Sequence, residues 1–124
     1  MSLTAEQFRE IIRSLKSDGV GVRSNEKRAG PRVGLRCRLS IRHYKNGKAD
    51  ETPTMVWLRD LSAAGIGVVH STCMEDGDAF IAEFPLRNNR CLGVLYKVVH
   101  YKTLAKNLYS IGAMLEKIMT DEWK

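Results

Sequence analysis

Val33-Gly34-Leu35-Arg36-Cys37-Arg38-Leu39-Ser40-Ile41-Arg42 is the stretch on which the fold of this chain turns. Val33, Leu35, Cys37, Leu39 and Ile41 alternate with Gly34, Arg36, Arg38, Ser40 and Arg42. Successive side chains of a strand point to opposite faces, so this period of two predicts a strand with one apolar and one basic face. Downstream, a polar turn at 45–50 leads to a more continuously apolar strand, Thr54 to Arg59, which delivers Asp60. Asp60-Leu61-Ser62-Ala63-Ala64-Gly65 interrupts the pattern, and Ile66 to Val69 resumes it, which predicts two strands meeting at a tight corner. Gly65 is the residue there that takes a positive φ at least cost. Further apolar runs at 79–86, 91–101 and 108–115 are separated by polar turns. Short strands at this spacing predict a small antiparallel barrel or sandwich.

Upstream, residues 4–17 read as a helix with a specified start. Thr4 and Gln7 form a capping box, Leu3 and Phe8 stand at the positions of a hydrophobic staple, and Phe8, Ile11, Ile12 and Leu15 make one apolar stripe. Asp18-Gly19 ends it. The stripe is short and not strongly basic, which favours docking on its own domain over a membrane surface. Residues 19–31 break all periodicity and read as a linker or flexible loop. The expected organisation is an amphipathic helix and turn over 1–22, an arginine-rich loop over 23–33, a barrel over 34–115, and a short C-terminal tail or helix over 116–124.

With 124 residues, 14.0 kDa and 44% hydrophobic residues, the chain suits one domain with its own core. No apolar run approaches a membrane span, and the N-terminus lacks the apolar core of a signal peptide, so a soluble, cytoplasmic protein is expected. Cys37, Cys73 and Cys91 are odd in number and form no CxxC pair, which suits a reducing compartment and reads as small core residues. The net charge of +6 is concentrated: Arg23, Lys27, Arg28, Arg32, Arg36, Arg38 and Arg42 face only Glu26 within residues 23–42, and the rest of the chain sums to zero. Attraction for an anion is therefore focused on one segment.

Two motifs carry chemistry. Arg28-Ala29-Gly30-Pro31-Arg32 holds two arginines around a Gly-Pro signal that bars a continuous helix. Guanidinium forks suit phosphate oxygens and the O6/N7 edge of guanine. In Asp60-x-Ser62-x-x-Gly65 the carboxylate can accept from guanine N1–H and N2–H, the hydroxyl can donate or accept, and glycine admits close approach of a ligand. Taken singly, the first is also a solvated basic loop and the second a serine-stabilised turn.

Together, Arg28-x-x-x-Arg32 followed by a strand pair and Asp60-x-Ser62-x-x-Gly65 resembles the bipartite signature of the PilZ domain, the bacterial receptor module for cyclic di-GMP. The resemblance runs from residue 26 to about 115 and takes in Val98-Val99 and the closing Ile111-Gly112-Ala113-Met114. It implies an all-β fold, a six-stranded antiparallel Greek-key barrel, here with an added N-terminal helix and a short C-terminal one. It implies that Arg28 and Arg32 clamp guanine and phosphate groups, that Asp60 and Ser62 read the edge of a guanine, and that Gly65 shapes the turn. Lys27 would add a phosphate contact and favour a stacked ligand pair, and His100 or Tyr101 would supply a stacking surface. Gly30 stands where relatives often carry a histidine or aromatic residue.

No enzyme pattern competes with this. His43, His70 and His100 show no metal-ligand spacing, Ser62 has no general base in its sequence context, and no GxxxxGK loop is present. The expectation is a non-enzymatic cyclic di-GMP receptor without cofactor or metal, acting on a downstream protein partner and not inserting into a membrane. Two alternatives stand beside it. One is a single-stranded nucleic-acid-binding barrel using Arg36, Arg38 and Arg42, a face without the interleaved aromatics such binding needs. The other is a ligand-free interaction module of the same family.

Overall fold

A computed structural model describes residues 2–16, 22–25, 32–86 and 90–119. One helix, α1 (Ala5–Lys16), precedes the strands β1 (Val22–Asn25), β2 (Arg32–Lys45), β3 (Lys48–Ala49), β4 (Thr54–Ser62), β5 (Gly65–His70), β6 (Ala79–Pro85), β7 (Cys91–Ala105) and β8 (Leu108–Met119). All pairings are antiparallel, and neighbours follow the order β1-β2-β4-β5-β8-β7-β6 with β6 returning to pair β2. Strands β2, β4, β5, β8, β7 and β6 thus form a closed six-stranded barrel. Closure gives both edges of each barrel strand a partner over much of its length.

The alternation read in the sequence sets which face turns inward. Cys37, Leu39 and Ile41 of β2 are buried together with Val56, Leu58 and Leu61 of β4 and Phe80, Ala82 and Phe84 of β6. Tyr96 fills the centre, its ring 5.7 Å from Phe80 and 6.4 Å from Phe84. Its hydroxyl is buried without a hydrogen-bond partner, and burial pushes its pKa far above the ordinary phenol value. On the outside, Ile81, Leu95 and Met119 make a second small core under Tyr44 and Ala49. Asn46-Gly47 (φ 54° and 78°) turns β2 into β3, as a two-residue hairpin of positive φ requires.

Helix α1 forms as its cap predicts. The Thr4 N–H donates to Gln7 Oε1 at 2.9 Å and the Gln7 N–H donates to Thr4 Oγ1 at 3.0 Å. Leu3, Ile11 and Leu15 join the barrel core, with Phe8 and Ile12 packed beside them. The Leu3 N–H donates to the Ala63 carbonyl at 2.7 Å, tying the start of the helix to the turn between β4 and β5.

Several expectations are corrected. Val22–Asn25 is a strand paired with the beginning of β2, where the sequence predicts irregular chain, and β2 already starts at Arg32. Four residues between glycine-rich breaks are too few to display a period. No C-terminal helix is present over residues 116–119: β8 runs to Met119, because β7 begins at Cys91 and offers partners as far as Gly93 opposite Met119. Residues 120–124 lie outside those described. Cys73 is exposed, whereas Cys37 is buried and Cys91 half-buried, and none of the three forms a disulfide.

Candidate ligand site

Strand pairing brings the two motifs together. Along β2 and β4 the register sets Arg32 opposite Ser62, Val33 opposite Leu61 and Gly34 opposite Asp60. Gly65 begins β5 directly after the corner. Lys27 and Arg28 lie outside the described residues, and for Arg32 the strand position is what is described.

Asp60 reaches the outer face through a β-bulge. Leu58 pairs with Val68 and Asp60 with Gly67, so two steps along β4 match one along β5. The phase slips accordingly: Val56, Leu58 and Leu61 are buried while Arg59 and Asp60 both point outward. Bulges re-aim side chains in this manner. Consecutive residues, which a regular strand would place on opposite faces, thereby become neighbours. Arg59 Nε donates to Asp60 Oδ2 at 3.1 Å, with side-chain exposures of 42% and 15%. A second guanidinium nitrogen, Nη1, donates to the hydroxyl of Ser110 on β8, itself buried.

Glycines clear the path for these groups. A Cβ at Gly67 would stand 2.7 Å from Arg59 Nη2 and 2.7 Å from Asp60 Oδ1. Across β8, the imidazole of His100 lies over Gly112, its register partner, in the space a Cβ would occupy. Asp60, Gly67, Gly112 and His100 therefore follow one another across four strands on one outer row. Arg59, Gly67 and Ser110 are absent from the motif reading; the sequence signal for the first was the break in apolar phase between Leu58 and Leu61.

Ser62 and Gly65 close the corner. The Gly65 N–H donates to Ser62 Oγ at 3.1 Å, and the Ser62 hydroxyl lies 3.4 Å from the Gly65 carbonyl, which it can donate to. Ser62 thus stabilises its own turn. Gly65 does not have the positive φ expected of it; among described glycines that geometry belongs to Gly47 and Gly77. What requires glycine is space, since a Cβ at position 65 would sit 3.1 Å from the Ala113 carbonyl of β8.

On the basic face of β2, Arg38 and Arg42 are already engaged. Arg42 Nε donates to Glu83 at 3.2 Å, and its Nη1 donates to the carbonyls of Asp50 and Glu51 at 2.9 and 2.6 Å. Arg38 lies 5.3 Å from the ring centroid of Trp57, half-exposed on β4, so the neighbouring strand supplies an aromatic beside the arginines of β2. A cleft of about 780 Å³ is lined by Arg42, Tyr44, Lys48, Glu83 and Lys117, and not by Asp60, Ser62 or Gly65. Among the described residues no group of three or more His, Cys, Asp or Glu is placed to hold a metal, and no helix is long and apolar enough to cross a membrane.

No protein-family model matches the chain, and no curated protein matches it either.

Proposed function

We propose that this protein is a non-enzymatic bacterial receptor for cyclic di-GMP, of the PilZ type, held on the outer face of the barrel. The observation that carries the reading is the register. Two motifs far apart in sequence meet in the sheet, Arg32 as the direct partner of Ser62 and Gly34, two residues past the first motif, as that of Asp60. The succession β6-β2-β4-β5, in which the fourth strand returns beside the first, also supports a Greek-key barrel.

In this reading Arg28 and Arg32, with Lys27 beside them, take the phosphates and the Hoogsteen edge, and Asp60 accepts from the N1–H and N2–H of a guanine. Ser62 and Gly65 hold the corner that presents Asp60. His100, exposed and occupying the space over Gly112, offers its ring to a base. Engagement of the arginines against the barrel changes the surface offered to a protein partner, and α1 transmits it in this reading, because Leu3, just before the helix, is bonded to Ala63 inside the motif.

Isothermal titration with cyclic di-GMP, with GTP and cyclic di-AMP as controls, tests this. Saturable binding confined to cyclic di-GMP and lost in Arg28→Ala, Arg32→Ala and Asp60→Ala is expected. Absence of heat, together with an unchanged Tm, would overturn it and leave a ligand-free interaction module. A second reading, single-stranded nucleic-acid binding, has one observation in its favour, the Arg38–Trp57 pair. Salt-sensitive retention of an oligonucleotide that weakens in Trp57→Ala would select it.

A further inference from the structure

A surface ion pair between adjacent residues of a strand is uncommon, because alternate side chains diverge. Here the bulge at Arg59 turns both groups outward, and Gly67 removes the side chain that would keep them apart from the sheet. The guanidinium then spans β5 and reaches the buried hydroxyl of Ser110 on β8. Three strands thus cooperate to place one carboxylate.

Stability alone gives little reason for the arrangement, since exposed ion pairs of this kind contribute weakly to folding. Orientation gives a better one. A carboxylate that must meet two parallel N–H donors gains from being held in one plane before the ligand arrives, because the rotation it would lose on binding is already lost.

We propose that Arg59 is a positioning residue that orients Asp60 for the N1–H and N2–H edge of guanine and so sets the specificity of the site for guanine over bases lacking the 2-amino group. The inference rests on the cyclic di-GMP reading. Ser110 is the anchor that stops the guanidinium from following solvent, and Gly67 is the floor on which the guanidinium and the carboxylate lie. Arg59 acts through Asp60; the phosphates belong to Arg28 and Arg32.

The test compares cyclic di-GMP with cyclic di-IMP, its hypoxanthine analogue without the 2-amino group, by titration calorimetry on the full chain. Wild-type protein is expected to favour cyclic di-GMP by about 100-fold or more, as sites built to pair a polar group discriminate strongly against its absence. In Arg59→Ala that ratio should fall to about 10-fold or less, with most of the loss on cyclic di-GMP. Ser110→Ala should lower it partway, and Arg59→Lys should restore part of it.

Arg32→Lys provides the contrast: it keeps a point charge for phosphate without the guanidinium fork, and should weaken both ligands alike and leave the ratio unchanged. Gly67→Ala adds a second probe, because the groups its Cβ would meet are the flexible ends of Arg59 and Asp60 and the barrel itself is untouched. It should lower the ratio with Tm nearly unchanged. A ratio preserved in Arg59→Ala and Gly67→Ala, with wild-type binding intact, would overturn the role of Arg59 alone. Failure of the wild-type protein to bind either dinucleotide would instead overturn the receptor reading, and this inference with it.

Discussion

The two ends of the barrel are closed by different chemistry. At the end carrying the Asp60–Gly65 corner, α1 lays Leu3, Ile11 and Leu15 into the core, and one backbone bond from Leu3 to Ala63 joins it to the corner. At the other end His43 of β2 meets His70 of β5 with their Nε2 atoms 3.3 Å apart, beside the buried Met74. β2 and β5 are not neighbours in the sheet, so this contact spans the mouth of the barrel. The first closure is apolar, non-directional and adjacent to the candidate site. The second is a directional polar pair. The candidate site is thus set beside packing that can slide, while the far end is pinned by groups whose bond exists in one protonation arrangement.

That arrangement follows from the partners. The Thr72 N–H donates to His70 Nδ1 at 3.2 Å, so the proton of neutral His70 is on Nε2 and is donated to His43 Nε2. The same geometry argues against a metal bridging the two imidazoles, because His70 has no lone pair directed at its partner.

The contrast can be broken most severely at the helix end. Ile11→Ala, at a fully buried position, should cost about 2–5 kcal/mol by chemical denaturation, and a loss below about 1 kcal/mol would mean that α1 is not a structural closure. Within the corner, Gly65→Ala should cost about 1–3 kcal/mol, since its Cβ presses on the Ala113 carbonyl in a paired backbone, whereas Gly67→Ala should shift stability by less than about 0.5 kcal/mol. Equal effects would show that the two glycines serve one purpose.

At the histidine end the prediction concerns pH. Burial, and then the neighbouring His43, lower the pKa of His70 below its ordinary 6.5. The unfolded chain therefore takes up a proton below about pH 6.5 that the folded chain refuses, and stability falls as pH drops through that value until the folded pKa is reached. Thermal melts between pH 7.5 and 5 should show this loss, and His70→Gln should flatten it; an undiminished slope in that variant would assign the effect elsewhere. The smallest effect is at the centre, where Tyr96→Phe removes a buried hydroxyl without a partner. Stability should be unchanged or higher by up to about 1 kcal/mol, and a clear loss would reveal a bond to that oxygen.

Much of this was legible in local patterns. The capping box, the apolar stripe of α1 and the alternation of β2 from Cys37 to Ile41 depend on residues within a few positions of one another, and each is found as predicted, while the register of β2 against β4 slips between Gly34 and Cys37. The break in phase before Leu61 was legible as an interruption and not as a bulge, because a bulge is defined by the opposing strand. The strand at Val22–Asn25 and the extension of β8 to Met119 were hidden for a related reason: both exist through pairing with distant residues.

By itself, then, the sequence determined a small all-β domain with a capped helix, a concentrated basic segment, and two short motifs rich in hydrogen-bonding side chains, since composition and periodicity are local quantities. Tertiary structure alone decided that Arg32 and Ser62 are partners, that Arg59 shares a face with Asp60 and reaches Ser110, and that two histidines close the barrel. Register and barrel closure bring together residues that no local period relates, and it is those encounters that turn motifs into a site.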